Sequence, residues 1–243
     1  MNAFGITDKG KVRSVNQDAY RLNVSTNGEY VLAALCDGMG GVHGGEIASK
    51  IAADSFMQYA EDMLRSEPAS DAAQILREAA SYANLKVYDH AFRDERCRGM
   101  GTTLVAALVR PADAAVVNVG DSRCYWLADG QLQLVTRDHS LVQSMVDRGL
   151  ITADEARSHP RKSVIMRAVG LERTIRSDIF RLDILSGDAL LLCSDGLSNL
   201  VSAGEMESLL LERSDDDTVC RELLRMALDR GAPDNVTLAL VRR

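Results

Sequence analysis

Several features that would place this 243-residue chain in other classes of protein are missing from it. No apolar run approaches the ~18 residues that a membrane-spanning helix needs. The first residues lack the basic and then apolar layout of a signal peptide. Lysine and arginine number 28 against 35 acidic residues, a net charge of −7, and no basic patch interrupts this balance. We therefore expect a cytoplasmic protein that binds neither membrane nor nucleic acid.

Paired or metal-spaced cysteines are also lacking. The five cysteines are odd in number and follow no Cys-x-x-Cys spacing, which argues against a zinc site. Cys36, Cys124 and Cys193 stand inside apolar segments, where a free cysteine behaves as a small buried hydrophobe. Because secreted chains usually pair their cysteines, the pattern indicates a reduced, intracellular protein.

The chain has no linker, internal repeat or low-complexity segment, so we expect one domain over residues 1–243. Strict alternation of strands and helices is absent, which argues against a doubly wound sheet and favours an α+β fold with segregated layers. The predicted order is strands to Cys36, two long helices, an antiparallel meander over Thr102–Val135, a helix at Ser140–Arg148, strands at Ile175–Arg181 and Ala189–Cys193, two helices, and a last strand at Val236–Val241.

Five acids share one kind of position, at the edge of a predicted strand or turn. The clearest is Asp37, where the fully apolar run Val31–Cys36 stops and glycines follow. A carboxylate at the mouth of a buried strand is costly unless a positive charge meets it. Acids gathered without histidine or Cys-x-x-Cys suit a hard cation such as Mg²⁺ or Mn²⁺. The five are Asp18, Asp37, Asp121, Asp195 and Asp234.

A basic and weakly patterned segment, residues 149–170, stands out in this acidic chain and belongs to a flap subdomain of about residues 144–170. It carries Arg157, Arg161 and Lys162 and holds one short helix at most. Long irregular segments are often functional, so we interpret it as a substrate flap. An ordinary solvated loop is the alternative.

Nine motifs in order resemble the metal-dependent serine/threonine protein phosphatases of type 2C, the bacterial branch in particular. Each is weak alone, but together they span nearly the whole chain. They are Arg13–Asp18, Asp37-Gly-Met-Gly-Gly41, Gly45–Ser49, Gly101–Thr103, Val119-Gly-Asp-Ser-Arg123, Asp138-His-Ser140, the flap end His159–Gly170, Ser194-Asp-Gly196 and Asp234-Asn-Val-Thr237.

The resemblance implies a central β-sandwich of two mainly antiparallel sheets flanked by pairs of antiparallel helices. It also implies two Mn²⁺ or Mg²⁺ ions, with a third, weaker ion as in bacterial members. By position, Asp37 resembles the carboxylate that bridges both metals, and Gly38 offers its carbonyl to the second. Asp195 and Asp234 resemble the other ligands of the first metal.

Three further roles follow from the same resemblance. Asp18 matches the acid that holds water on the second metal, and Asp121 matches the third metal's ligand, shared with Asp195. Arg13 matches the arginine that binds phosphate. The implied activity is hydrolysis of phosphoserine and phosphothreonine on proteins by a metal-activated water. The expected partners are a bacterial serine/threonine kinase and its substrates, and we expect a monomer.

The sequence departs from the family at the proposed general acid. Animal members carry a histidine where this chain has Met39. His43 and a water on the third metal are the alternative proton sources. A non-catalytic phosphoprotein-binding module is the rival class, although none of the metal acids is lost. A phosphatase with one dedicated partner is a further alternative. The absence of Cys-x5-Arg excludes the cysteine-type tyrosine phosphatases.

Overall fold

Two antiparallel sheets stack face to face in the computed structural model, which describes residues 1–40, 44–212 and 215–243. The first sheet has the order β1 (Asn2–Asp8), β11 (Val236–Arg242), β10 (Ala189–Cys193), β7 (Arg123–Ala128) and β8 (Gln131–Leu134). The second runs β2 (Asp18–Val24), β3 (Val31–Met39), β5 (Leu104–Val109), β6 (Ala114–Val119) and β9 (Asp178–Leu182), and the short β4 (Gly101–Thr102) pairs with the end of β3.

Helices cover the outer face of each sheet. The long pair α1 (Gly44–Ser66) and α2 (Ala72–Arg93) packs on the second sheet. The pair α6 (Ala203–Glu212) and α7 (Asp216–Asp229) packs on the first. The predicted α+β sandwich with flanking helix pairs is therefore confirmed.

The unbroken apolar run of β3 is explained by burial on both of its faces. Val31, Ala33 and Leu35 point into the core between the sheets. Leu32 and Ala34 point to the other side and pack beneath α1 and α2. All five are fully buried. Successive side chains of a strand alternate between faces, so both faces must be apolar here.

Local sequence signals set several helix boundaries. Asp71 is the N-cap of α2, and its side chain accepts a hydrogen bond from the Gln74 amide. Residues 140–170 form two short helices, α3 (Leu141–Asp147) and α4 (Ala153–Ser158). Thr152 and Glu155 make a capping box at the start of α4. A further single turn, α5 (Asp195–Ser198), was not predicted.

The predicted meander over Thr102–Val135 is wrong in one respect. β5 pairs with β6 and β7 pairs with β8, but β6 and β7 belong to different sheets. The turn Gly120–Ser122 therefore crosses from one sheet to the other instead of closing a hairpin. Apolar content identifies each strand but does not select its partner, and Gly-Asp-Ser is also a good turn sequence. The strand expected at Ile175–Arg181 begins later, at Asp178.

All five cysteines are unpaired and buried, as expected for Cys36, Cys124 and Cys193. Within the described part of the chain, no helix is both long enough and apolar enough to cross a membrane.

Candidate active site

The five predicted acids come from both sheets, and their charges act on one another. Asp18 and Asp37 are register partners across β2 and β3. The charges of Asp18, Asp195, Asp121 and Asp234 all raise the pKa of Asp37. The crossing of the chain between sheets at Gly120–Ser122 is what lets Asp121 belong to this group.

The backbone around Asp37 is fixed by two threonines. The Asp37 amide donates to Thr103 Oγ1 at 2.9 Å, and the Thr102 hydroxyl donates to the Asp37 carbonyl at 2.8 Å. The Gly38 amide donates to the Gln17 carbonyl at 3.1 Å, which ties β3 to the segment before Asp18. Asp37 is therefore presented on a rigid strand end, which is what a metal ligand needs.

Asp195 and Asp234 meet because β10 and β11 are neighbours. Asp195 begins α5 directly after β10, and Asp234 stands just before β11. A Cβ at Gly196 would lie 1.9 Å from the Asn235 carbonyl oxygen, so only glycine allows this approach. The Asn199 side chain donates to Asp195 Oδ2 at 3.1 Å and orients that carboxylate.

Arg13 stands at the mouth of the site. Its Nη2 donates to Asp234 Oδ2 at 2.7 Å, and the side chains are 53% and 38% exposed. The hydrogen bond to Asp234 raises the pKa of Arg13, and the charges of Asp37 and Asp195 add to this effect. The guanidinium is thus beside the acids and open to solvent, where an incoming phosphate could reach it.

Sequence reasoning missed Asn235, which positions the loop that carries Arg13. Its Nδ2 donates to the carbonyls of Lys9 and Val15, and its Oδ1 accepts from the Gln17 amide. Asn235 is buried. The signal was present as the Asn of Asp234-Asn-Val-Thr237, but nothing in the sequence shows where its side chain reaches.

Asp18 has one carboxylate oxygen engaged and one free. The Ser194 hydroxyl donates to Asp18 Oδ2 at 2.9 Å. Oδ1 is buried without a hydrogen-bond partner. Burial raises the pKa of Asp18 to about 6, against the effect of hydrogen bonds from Thr237 and Ser194. A buried, unpaired carboxylate oxygen is unfavourable unless a ligand meets it.

The whole cluster needs positive charge. Burial is the main cause that raises the pKa of Asp37 and Asp195, followed by the charge of a neighbouring carboxylate in each case. Burial also raises the pKa of Asp121 to about 7, with Asp195 adding to it. The charges of Arg13, of Lys162 and of Arg123, which is paired with Asp138, do not balance five acids, whereas divalent cations with oxygen ligands would. The residues present therefore fit the two-ion centre.

No three of the site acids have their ligand atoms all within 4.8 Å of one another in the described part of the chain. Over residues 1–40, 44–212 and 215–243, the one trio of His, Cys, Asp or Glu with all ligand atoms within 4.8 Å of one another is His90, Asp94 and Cys97. There the guanidinium of Arg96 already binds both oxygens of Asp94.

A groove of about 620 Å³ leads from the acids to the flap. Arg157 and Lys162 line it together with Asp121 and Asp195. The charge of Lys162 also lowers the pKa of Asp195, although burial outweighs this effect. Arg161 is exposed and is not among the residues that line the groove. The structure thus separates two of the predicted flap residues from the third.

The general acid is not identified by these contacts. Met39 is the last residue of β3 and pairs with Gly101, and its thioether carries no proton to give. His43 lies outside the described residues.

Comparisons with known proteins agree with this geometry. The sequence profile of the family described as protein phosphatase 2C matches residues 9–236. A serine/threonine phosphatase, stp, of Listeria welshimeri is 34% identical over 243 residues, which is 100% of this chain and 96% of that protein. The crystal structure of the Mycobacterium tuberculosis serine/threonine phosphatase PstP superposes with a TM-score of 0.89 at 35% identity and covers 98% of this chain and 97% of that one. The PstP catalytic domain in complex with two manganese ions superposes with a TM-score of 0.84 at 34% identity and covers 98% and 96%.

Proposed function

The chain belongs to the protein phosphatase 2C family and is a protein serine/threonine phosphatase, and we propose that its five clustered acids and Arg13 form the catalytic centre. The observation that carries this proposal is a group of mutually repelling carboxylates, half-buried except for the buried Asp121, beside a solvent-open guanidinium. We further propose that residues 1–243 act as one catalytic domain.

We assign the site residues to two main ions and a third, weaker one. Asp37, Asp195 and Asp234 would hold the first ion, and Asp37 with the Gly38 carbonyl would hold the second. Asp121 with Asp195 would hold a third, weaker ion. When bound, Mn²⁺ or Mg²⁺ lowers the pKa of water, so that hydroxide is available near neutral pH, and neutralises charge on the phosphoryl oxygens.

Three residues of the chain would act on substrate and water. The Arg13 guanidinium offers two parallel donors to two phosphate oxygens, a geometry that lysine lacks. The unpaired Asp18 Oδ1 can accept a hydrogen bond from a water and orient it. Ser194 holds Asp18 in this position through Oδ2. None of these steps needs a phosphoenzyme.

We propose that the substrates are proteins phosphorylated by a bacterial serine/threonine kinase, and that the enzyme works as a monomer in the cytoplasm. The five buried, unpaired cysteines support a reducing compartment. Arg157 and Lys162 beside the site support contact with acidic segments around the phosphorylated residue.

The test is release of phosphate from phosphoserine and phosphothreonine peptides with Mn²⁺, Mg²⁺ or EDTA. We expect turnover with either metal and none with EDTA, and recovery when Mn²⁺ is added back in excess. A folded protein that binds the phosphopeptides but releases no phosphate with any metal would instead be the binding module.

A further inference from the structure

The turn that carries Asp121 makes two hydrogen bonds with His139, one with its backbone and one with its ring. The His139 amide donates to the Gly120 carbonyl at 2.9 Å. The Gly120 amide donates back to His139 Nδ1 at 3.1 Å. His139 is 7% exposed. Because Nδ1 accepts this bond it carries no proton, so the neutral ring has its proton on Nε2.

The other edge of the same ring is fixed by Asp178. His139 Nε2 lies 3.1 Å from Asp178 Oδ2. Asp178 Oδ1 accepts from Arg167 Nη1 at 3.0 Å. The Met166 amide donates to the His139 carbonyl at 2.7 Å. His139 therefore connects the end of the flap segment to the Asp121 turn.

The far side of the turn is equally constrained. The hydroxyls of Ser122 and Thr103 are 2.7 Å apart, and the Asp37 amide donates to the same Thr103 oxygen. Gly120 has φ +111°, and a Cβ there would lie 2.6 Å from the Thr103 side chain. Asp121 thus stands between a residue held by His139 and a residue held by Thr103, which fixes its backbone relative to Asp37.

We propose that His139 is a positioning residue that aims the Asp121 carboxylate at its cation. The inference rests on the proposed function in that Asp121 and Asp195 must bind an ion. His139 acts on Asp121 through the neighbouring Gly120, and residues that hold metal ligands in place usually change metal affinity by about 10–100-fold when they are removed. Burial lowers the pKa of His139, which keeps the accepting nitrogen free at neutral pH.

Three substitutions distinguish the hydrogen bond at Nδ1 from the contact at Nε2. In His139→Asn, the side-chain oxygen replaces Nδ1 and still accepts from Gly120, while the contact with Asp178 is lost. In His139→Gln, the amide nitrogen replaces Nε2 and still donates to Asp178, while the acceptor for Gly120 is lost. His139→Ala removes both.

The measurement is Mn²⁺ binding to the full chain, by isothermal titration calorimetry and by the electron paramagnetic resonance signal of free Mn²⁺. We expect three ions in the wild type and two in Asp121→Asn. His139→Gln and His139→Ala should bind the weakest ion about 10–100-fold less tightly and the other two unchanged. His139→Asn should restore wild-type binding.

Other results would overturn the inference in distinguishable ways. Equal loss in the Asn and Gln variants would mean that His139 only fills space. Unchanged binding in all three, in variants that melt cooperatively, would mean that the turn holds Asp121 without it. A wild type that binds two ions, as Asp121→Asn does, would remove the third site but leave the two-ion phosphatase standing. A wild type that binds none would contradict the proposed function itself.

Discussion

Arg13 combines two interactions of very different strength. Its ion pair with Asp234 is more than a third exposed on both sides, and such pairs contribute about 0–1 kcal/mol to stability. Its contact with phosphate would be a charge-assisted fork at the reacting group. Its effect on catalysis should therefore greatly exceed its effect on folding.

We predict that Arg13→Lys lowers kcat/KM for a phosphothreonine peptide while the melting temperature hardly changes. Losing one hydrogen bond to a charged group costs about 1.5–3 kcal/mol, or roughly 10–100-fold. Steady-state kinetics with calorimetry of unfolding measures both. A drop in stability with unchanged kcat/KM would assign Arg13 to structure alone.

His139 gives a pH-dependent term in stability. Burial is the main cause that lowers its pKa, and the Arg167 charge acts the same way. Asp178 and Asp138 act in the opposite direction and do not outweigh burial. Folding lowers the pKa of this histidine below the value of about 6.5 in the unfolded chain. Its contribution to stability is therefore fully present at a pH above about 6.5 and is lost as the pH falls below this value, because the unfolded chain then binds the proton more tightly.

The expected result is that wild type loses more unfolding free energy between pH 7.5 and 5.5 than His139→Asn does. Urea unfolding at both pH values measures this loss of unfolding free energy. Comparison with the variant cancels the pH dependence that comes from carboxylates present in both proteins. A smaller loss in the wild type would show that folding raises the pKa of His139.

At the scale of elements, the approach of α5 to the start of β11 sets the distance between Asp195 and Asp234. A methyl group at Gly196 would meet the Asn235 carbonyl, which is backbone and cannot turn aside. We predict that Gly196→Ala lowers the unfolding free energy by about 2–4 kcal/mol and abolishes tight Mn²⁺ binding.

Gly204 in α6 is the matched control, since a Cβ there meets nothing within 4 Å. Gly204→Ala should leave metal binding unchanged and stabilise by up to about 1 kcal/mol. If Gly196→Ala behaves like the control, the close approach of α5 to β11 does not determine how Asp195 and Asp234 are placed for metal binding.

We propose that the basic residues of the flap, unlike the site acids, act on the substrate chain and not on phosphorus. We predict that Arg157→Glu with Lys162→Glu reduces turnover of an acidic phosphopeptide and spares p-nitrophenyl phosphate. Arg161→Glu, outside the groove lining, should have a much smaller effect. The ratio of the two turnover rates at low and high salt is the measurement, because attraction between exposed charges weakens with salt.

Equal losses on the peptide and on p-nitrophenyl phosphate would show that the flap charges act on the metal centre instead. A loss in Arg161→Glu as large as in the double variant would mean that overall charge matters and not the groove.

At the scale of the whole molecule, the sequence predicts strands and helices well and their partners poorly. The run Val31–Cys36 predicts a strand buried on both faces, and β3 is one. The split of β6 and β7 between sheets was not predictable, since either partner buries the same apolar surface. This split, however, places Asp121 in the turn between the two sheets, close to the other acids.

In the candidate site, likewise, some residues could be predicted from the sequence and others could not. The acids were found from their position at strand edges, and Arg13 from the family resemblance. Asn235, Thr103 and His139 were not, because a polar residue in a turn acquires a role only when a distant segment arrives beside it. The His139 ring, for example, reaches Gly120 and Asp178, which both lie far from it in the sequence.

Phosphothreonine-peptide turnover as a function of Mn²⁺, for wild type, Asp37→Asn and Asp195→Asn, tests whether the acids brought together from both sheets hold the cations that this phosphatase needs. Asp229→Asn, an exposed helix residue paired with Arg225, is the control. We predict Mn²⁺-dependent turnover in wild type and control, and a loss of at least about 100-fold in the two site variants. Full activity of Asp37→Asn or Asp195→Asn, or turnover in wild type that persists in EDTA, would contradict this role of the acids.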